Sequence, residues 1–428
     1  QNVVTLSVNL ADNMMLGSYS ETALSGVAAV NQIQFIYQQL LMALGDGLVI
    51  FCSQYWGKRQ TEPMKKISAT AMHAGLLIAI LLFALVSIFP RQAVGIFTTE
   101  ESIIREGVSY LSIIRFTYLF FAVTQILLAT LRSVEVVKIA FYLSVMTFFV
   151  NCGINYVLIY GHFGAPEMGA AGAAIGTLAA RMTELVVLII YIIKKEKQLH
   201  LSIRSYLQHD RVLSGDYFRV TAPMLVVQGL WGVNTALQTV ILGHMTAAAI
   251  AANSVASTIF MMVKSMAVGA ASTASIIIGN TIGTGDIALV KKYSGRLQRI
   301  FVVIGLVSGL LLFLIRVPIL QLYDLSASTK EMANTFLIIL SVVVIGMSYQ
   351  MPTNNGIIRG GGNAMFVVKM DLISIWGIVI PLSFVMAFVV KASPAVVVCC
   401  LNADQIFKCI PAFLESHYGN WIRKLTRE

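Results

Sequence analysis

The sequence predicts an all-α polytopic membrane protein with twelve transmembrane helices in two pseudo-symmetric six-helix bundles. Three observations predict it: an apolar composition short of charge, basic residues that alternate from loop to loop, and an internal repeat. The chain has 428 residues, 57% of them apolar, and its mean hydropathy is +0.80. Only 12% are charged, about half the roughly 25% of soluble domains. A soluble fold of this size needs more charge to cover its surface, whereas lipid-facing helices do not.

Hydrophobic runs bounded by charges, glycine or proline place the spans near 1–17, 24–55, 68–90, 108–131, 137–160 and 169–194. The second half repeats the series at 218–243, 248–282, 299–322, 334–357, 366–391 and 395–418. A span needs about 20 residues to cross roughly 30 Å of hydrocarbon. The first run, Val3 to Gly17, falls short, so the start of its helix is expected upstream of Gln1. The second and eighth runs are long and should tilt or protrude.

Lys and Arg sort by loop parity. With residues toward span ends counted in the adjoining loop, loops after even-numbered spans and the C-terminal tail hold 21 of them, and loops after odd-numbered spans hold 5. Arg115, Arg181, Lys264 and Lys408 fall within spans. By the positive-inside rule both termini are expected in the cytoplasm of a multi-pass protein of the cell membrane. The formal charge of +10 therefore reads as orientation, not as affinity for nucleic acid. Cys52, Cys152, Cys399, Cys400 and Cys409 are odd in number and lie in apolar stretches, which supports neither a disulfide framework nor a zinc site.

The longest basic loop divides the chain into 1–197, a linker 198–216, and 217–428. A shift of 226 positions carries Leu16-Gly17 onto Leu242-Gly243, Ala23 onto Ala249, Gln54 onto Asn280 and Gly57 onto Gly283. It also carries Lys65, Lys66 and Ser68 onto Lys291, Lys292 and Ser294. A shift of 227 brings Leu131-Arg132-Ser133 onto Ile358-Arg359-Gly360. Six spans separate the copies, an even number, so the two halves share one topology, as parallel transporter repeats do.

The pieces Leu-Ala-Asp-Asn-Met-Met-Leu-Gly (10–17), Ser-Gln-Tyr-Trp-Gly-Lys (53–58) and Leu-Ala-Thr-Leu-Arg-Ser (128–133) carry a resemblance. So do Asn-Tyr-Val-Leu-Ile-Tyr-Gly (155–161), Met-Gly-Ala-Ala-Gly-Ala-Ala-Ile-Gly-Thr (168–177) and Ile-Arg-Gly-Gly-Gly-Asn (358–363). In order, spacing and duplication they resemble the multidrug and toxic compound extrusion (MATE) family over essentially the whole chain. The resemblance implies two bundles around a cavity open alternately to either side. It also implies export of drug-like cations against an inward flow of sodium or protons.

Asp12 is the sharpest candidate for ion coupling, because an acid within a span is expensive and marks an ion pathway by default. Asn151 and Asn155, four apart, share one helix face and can coordinate an ion, bond a protonated Asp12, or simply tie helices together. The resemblance implies an ion site at Asp12, Asn151 and Asn155, with Thr177 beside them. Some members carry an acid where this chain has Asn155, so H+ is favoured over Na+ as the coupling ion and no metal site is assigned. The acids that other members use in the second half correspond to Trp231 and Ser348 here, so that site is not transferred. Asp371, beside Lys369, is expected in an ion pair or at the interface. Asp46 is a further open candidate, and Arg181 with Glu184 is expected as an internal pair.

Polar stripes on span 2 (Asn31, Gln34, Gln38) and span 7 (Gln228, Trp231, Gln238) should face inward. Gln34, Tyr37, Gln38, Tyr118, Gln228, Trp231 and Gln238 are the expected substrate-cavity residues, the aromatics acting by cation–π contact or as packing. The Gly172–Gly176 spacing argues for close helix packing. The glycines at 360–362 follow no strand, Gly283-Thr-Gly-Asp286 reads as a tight turn, and the six histidines show no HExxH spacing. No enzyme activity and no cofactor are therefore expected. The expected partners are organic cations and the lipid bilayer, with a monomeric chain and no nucleic acid. The alternatives are a flippase or exporter for a lipid-linked or polyanionic substrate, which needs a basic cavity, and an intramembrane enzyme or channel.

Overall fold

The computed structural model describes residues 2–98, 100–196, 198–202, 205–206, 208, 210–243, 247–321 and 326–426. Among these the chain is almost wholly helical, as the apolar runs require. The first half contains α1 (Asn2–Tyr19), α2 (Glu21–Gly57), α3 (Thr61–Ile88), α4 (Glu101–Ile114 and Thr117–Ser133), α5 (Lys138–Tyr160) and α6 (Gly169–Lys195). The second contains α7 (Arg211–Gly243), α8 (Ala247–Thr284), α9 (Ile287–Gln321), α10 (Ala327–Ile358), α11 (Ala364–Val389) and α12 (Pro394–Tyr418). Nine of the described helices are long and apolar enough to cross a membrane, and ten with the bent α4 pair. The remaining two, α1 and α7, carry polar residues such as Asp12 and Gln228 along otherwise apolar runs.

Local chemistry sets the ends. Gly161 terminates α5 in the left-handed conformation (φ 71°), which glycine adopts without steric penalty. The Ser326 hydroxyl caps α10 by accepting the Thr329 N–H at 3.3 Å. Asp210 caps α7 through the N–H groups of Val212 and Leu213 (3.1 and 3.2 Å). The 283–286 segment turns at Gly285 (φ 86°), as its composition suggests.

Three departures from simple spans stand out. Span 4 bends by 53° between Ile114 and Thr117, where neither proline nor glycine occurs. There the Thr117 hydroxyl donates to the Ile114 carbonyl at 2.6 Å, and such insertion of a side chain into the ladder kinks a helix. α10 passes into a π-helix at Thr353–Ile358, just after Pro352. α11 contains two more, Leu372–Val379 and Val385–Val389. A proline removes one N–H donor, and the ladder after Pro352 re-forms with a wider turn.

Contacts divide the chain into two compact units, 1–48 with 61–221 and 49–60 with 222–428. In the first unit the start of α7 is tied to α2 and α3. Lys66 pairs with Asp210 at 3.2 Å, the Thr70 and Ser214 hydroxyls meet at 2.8 Å, and the Tyr217 hydroxyl donates to the Leu44 carbonyl at 2.8 Å.

In the second unit, small residues on α8 (Ala252, Ala256, Ala267) pack with Leu312, Phe336, Leu340 and Val397 in one apolar core. The end of α2 crosses the end of α8 at positions that the 226-residue repeat makes equivalent. A Cβ on Gly57 would strike the Asn280 carbonyl, and a Cβ on Gly283 would strike the Gln54 carbonyl. The repeat thus places glycine on both sides of one backbone-to-backbone contact. Beside it the Gln54 amide donates to the Arg423 carbonyl (3.1 Å) and accepts the Leu425 N–H (2.8 Å). Trp421 is buried nearby against Gly361.

Candidate functional site

The site lies inside the first unit. α1 brings Asp12 to α5, and the Tyr160 hydroxyl holds the helices together by donating to the Met15 carbonyl at 2.9 Å. α6 approaches α5 so closely that a Cβ on Gly172 would lie 2.7 Å from the Leu158 carbonyl. A Cβ on Gly176 would strike the Asn155 side chain. The Gly172–Gly176 spacing therefore packs the helices and also leaves the volume that Asn155 fills.

Asn155 is fully buried, and its Nδ2 donates to Asp12 Oδ1 at 2.6 Å and to Asn151 Oδ1 at 3.3 Å. Asn151 Nδ2 donates to the Thr177 hydroxyl at 3.2 Å, which donates in turn to the Ala173 carbonyl at 3.1 Å. Asp12, Asn151, Asn155 and Thr177 form one continuous chain of hydrogen bonds. Its unfilled end is Asn155 Oδ1, buried without a partner. Such an atom ordinarily costs about 1–3 kcal/mol; here it is packed against Gly176 of α6.

Asp12 and Thr177 line a cavity of about 60 Å³ with Asn31, Gln34, Tyr37, Gln38, Tyr118 and Arg181. That volume accommodates an ion or a few waters at roughly 30 Å³ each, not a drug-sized molecule, whose pocket is about 300–1,000 Å³. Tyr37 and Tyr118 are packed rather than free: their rings lie 5.1 Å apart and the Tyr37 hydroxyl donates to the Tyr118 carbonyl at 2.6 Å. The polar stripe of α2 does point into this unit, as a lipid-exposed position would not permit. Tyr110 also lines the cavity, together with Gln34 and Thr177. Sequence reading missed it, because a lone tyrosine in an apolar span carries no periodic signal.

The other intramembrane charges find partners. Arg181 pairs with Glu184 at 2.8 Å, as their spacing suggests, and lies 4.8 Å over the Phe121 ring. Asp46 faces Arg132 at 3.8 Å. The remaining expected cavity residues, Gln228, Trp231 and Gln238, belong to the second unit and are partly exposed. The Trp231 ring is already covered there by the Lys264 ammonium at 4.8 Å. Asp371 is indeed ion-paired, but with Lys408 of α12 at 2.8 Å and not with its chain neighbour Lys369.

Comparison with known proteins agrees with this architecture. The MatE family model matches residues 1–157 and 223–385. The chain is 24% identical over 437 residues to a probable multidrug resistance protein NorM of Thermotoga maritima, covering 100% of this chain and 92% of that one. It is 25% identical over 401 residues to a probable multidrug resistance protein YoeA of Bacillus subtilis, covering 91% and 85%. The fold is similar to the crystal structure of the eukaryotic MATE transporter AtDTX14, with TM-score 0.83, 18% identity and coverage of 98% and 93%. The bent form of the Vibrio cholerae MATE transporter VcmN gives TM-score 0.83 at 15% identity, covering 97% and 93%. With the family model matching both halves and the all-helical membrane architecture shared, the chain belongs to the MatE family of membrane transporters.

Proposed function

We propose that the chain is a secondary antiporter that exports lipophilic organic cations in exchange for inward-moving protons, with Asp12 as the coupling acid. The observation that carries this reading is the Asp12–Asn155 contact at 2.6 Å, behind the wall of a small cavity that Asp12 lines. Asn155 has both a donor and an acceptor on one amide. It can donate to an ionised Asp12 or, turned over, accept from a protonated one, so a single contact serves both states. A proton therefore needs no further ligand, and this favours H+ over Na+.

Substrate and proton then compete for one negative charge. When the cavity opens to one side, a proton neutralises Asp12 and releases the cation; when it opens to the other, the proton leaves and a cation binds. The cavity as it stands has no room for an organic cation, which would bind as the cavity widens, against the neutral polar and aromatic lining of Gln34, Gln38, Tyr37 and Tyr118. The names of the relatives from Thermotoga maritima and Bacillus subtilis point the same way. The basic lining residue Arg181 is held by Glu184, which speaks against a polyanionic or lipid-linked substrate. The loop charges support cytoplasmic termini in the cell membrane, and we take the working unit to be one chain.

The test is uptake of a fluorescent cation such as ethidium into proteoliposomes under separately imposed proton and sodium gradients. Accumulation driven by the proton gradient alone is the expected result. Accumulation under sodium alone would reassign the coupling ion. A protein that moves no cation under either gradient would sink the antiport reading.

A further inference from the structure

The second unit contains a charged cluster that the mechanism above does not use. Lys408 is 3% exposed, and its ammonium lies 2.8 Å from Asp371 Oδ1 on α11 and 2.9 Å from Asp404 Oδ2 on α12. Asp404 is itself 4% exposed. Its Oδ2 also accepts from Gln405 Nε2 at 2.8 Å; Gln405 Oε1 accepts from Gln350 at 2.8 Å, and Gln350 Oε1 accepts from Asn354 at 3.0 Å. Asn354, 3% exposed on the π-helical turn of α10, keeps Oδ1 without a partner. The other charge close enough to act on the cluster is Lys264 of α8, which feels both Asp404 and Lys408. Its ammonium sits over Trp231 and has no carboxylate within 4.0 Å among the described residues.

Two carboxylates converging on one buried positive charge, backed by a chain of neutral amides, is the arrangement of a monovalent-cation site. Here the cation is covalently attached. We propose that Lys408 is a tethered cation filling a two-carboxylate cation site formed by Asp371 and Asp404, so that this site is occupied from within and takes no free ion. A triad of two acids and one lysine carries a net charge of −1, and Lys264 brings the group to neutrality without entering the site. A buried pair stripped of one partner leaves an uncompensated charge. Removing the Lys408 ammonium would therefore leave a hole that two carboxylates oblige a cation to fill. The ligand class is a small monovalent cation: an alkali ion or a primary ammonium short enough to replace the end of the lysine stem.

The experiment compares purified wild type, Lys408→Ala and Lys408→Ala/Asp404→Asn in detergent near pH 8. Thermal melting is followed with added sodium chloride, ethylammonium chloride or choline chloride. The expected result is that Lys408→Ala melts below wild type and regains most of that loss with ethylammonium or sodium. Choline, too bulky for the space, should not rescue it. Wild type and the double variant should respond equally to all three salts. Should Lys408→Ala not fold, Lys408→Gln, whose amide retains a donor for both acids, replaces it in the same comparison. The proposal is overturned if the single variant responds to the three salts alike, or if wild type gains as much as the variant does. Because the readout is binding, the result does not depend on whether the chain exports cations.

Discussion

Replacing Asp12 by Asn keeps the side-chain volume and leaves an amide that can still bond Asn155. It removes the one acid among the described cavity-lining residues. One carboxylate means one proton exchanged per substrate cation, and one positive charge moving each way makes the exchange electroneutral. A tenfold proton gradient then supplies about 1.4 kcal/mol, which supports at most about tenfold accumulation of a monovalent cation. In proteoliposomes with a pH difference of about one unit, the parent protein should approach a plateau near tenfold, insensitive to an imposed potassium-diffusion potential. Asp12→Asn should bring the dye no further than a ratio near one, because alternation and some substrate binding to the neutral lining survive while the link to the gradient does not. A well-folded Asp12→Asn protein that still reaches the parental plateau would refute the assignment. A parental plateau near a hundredfold, about 2.7 kcal/mol, would mean that a second group carries a proton and that one acid does not account for coupling.

Three further outcomes follow from the packing. Gly57→Ala or Gly283→Ala places a methyl against a backbone carbonyl that cannot rotate away; each should destabilise the protein by about 1–3 kcal/mol, read as a lower melting temperature, and an unchanged melt would show that the helices do not approach as described. Glu184→Gln should leave the partly buried Arg181 without its carboxylate, a loss of about 1–3 kcal/mol that Arg181→Met/Glu184→Met recovers in large part; yields and melts of the single and double variants decide it. The Asp210 carboxyl is held below the usual carboxylate range, first by the Leu213 N–H and then by Lys66. Because its folded value is depressed, its contribution is fully present above about pH 4 and is lost as the pH falls through the lowered value. Asp210→Ala should therefore speed amide exchange at Val212 and Leu213 at neutral pH, and equal exchange rates would remove the cap from the account.

Much of this was legible along the chain, because the controlling physics is local. Hydropathy located the helical runs from residue transfer energies alone, and loop charge needed only counting. The Asn151–Asn155 spacing put both amides on one face of α5 before any neighbour was known. Glycines at 172 and 176 announced close approach, though not to what, whereas those at 57 and 283 registered only as repeat positions. The partners were a different matter, since they depend on how each helix is rotated and where it crosses the next. Lys369 is two residues from Asp371, yet successive helical positions diverge by about 100°, and Lys408 from α12 takes the carboxylate instead. The bend at Thr117 goes with a single hydrogen bond that composition does not register. Tyr110 joined the cavity because the 101–114 segment of α4 packs against α6. The sequence by itself determined a membrane-spanning helical chain with an acid and two amides inside its first half. Only the tertiary structure decided that they touch, that Asn155 Oδ1 is left unmet, and that Asp371 and Asp404 of the second half already hold a lysine. The reason is that burial and charge belong to residues, whereas pairing is a property of packed surfaces.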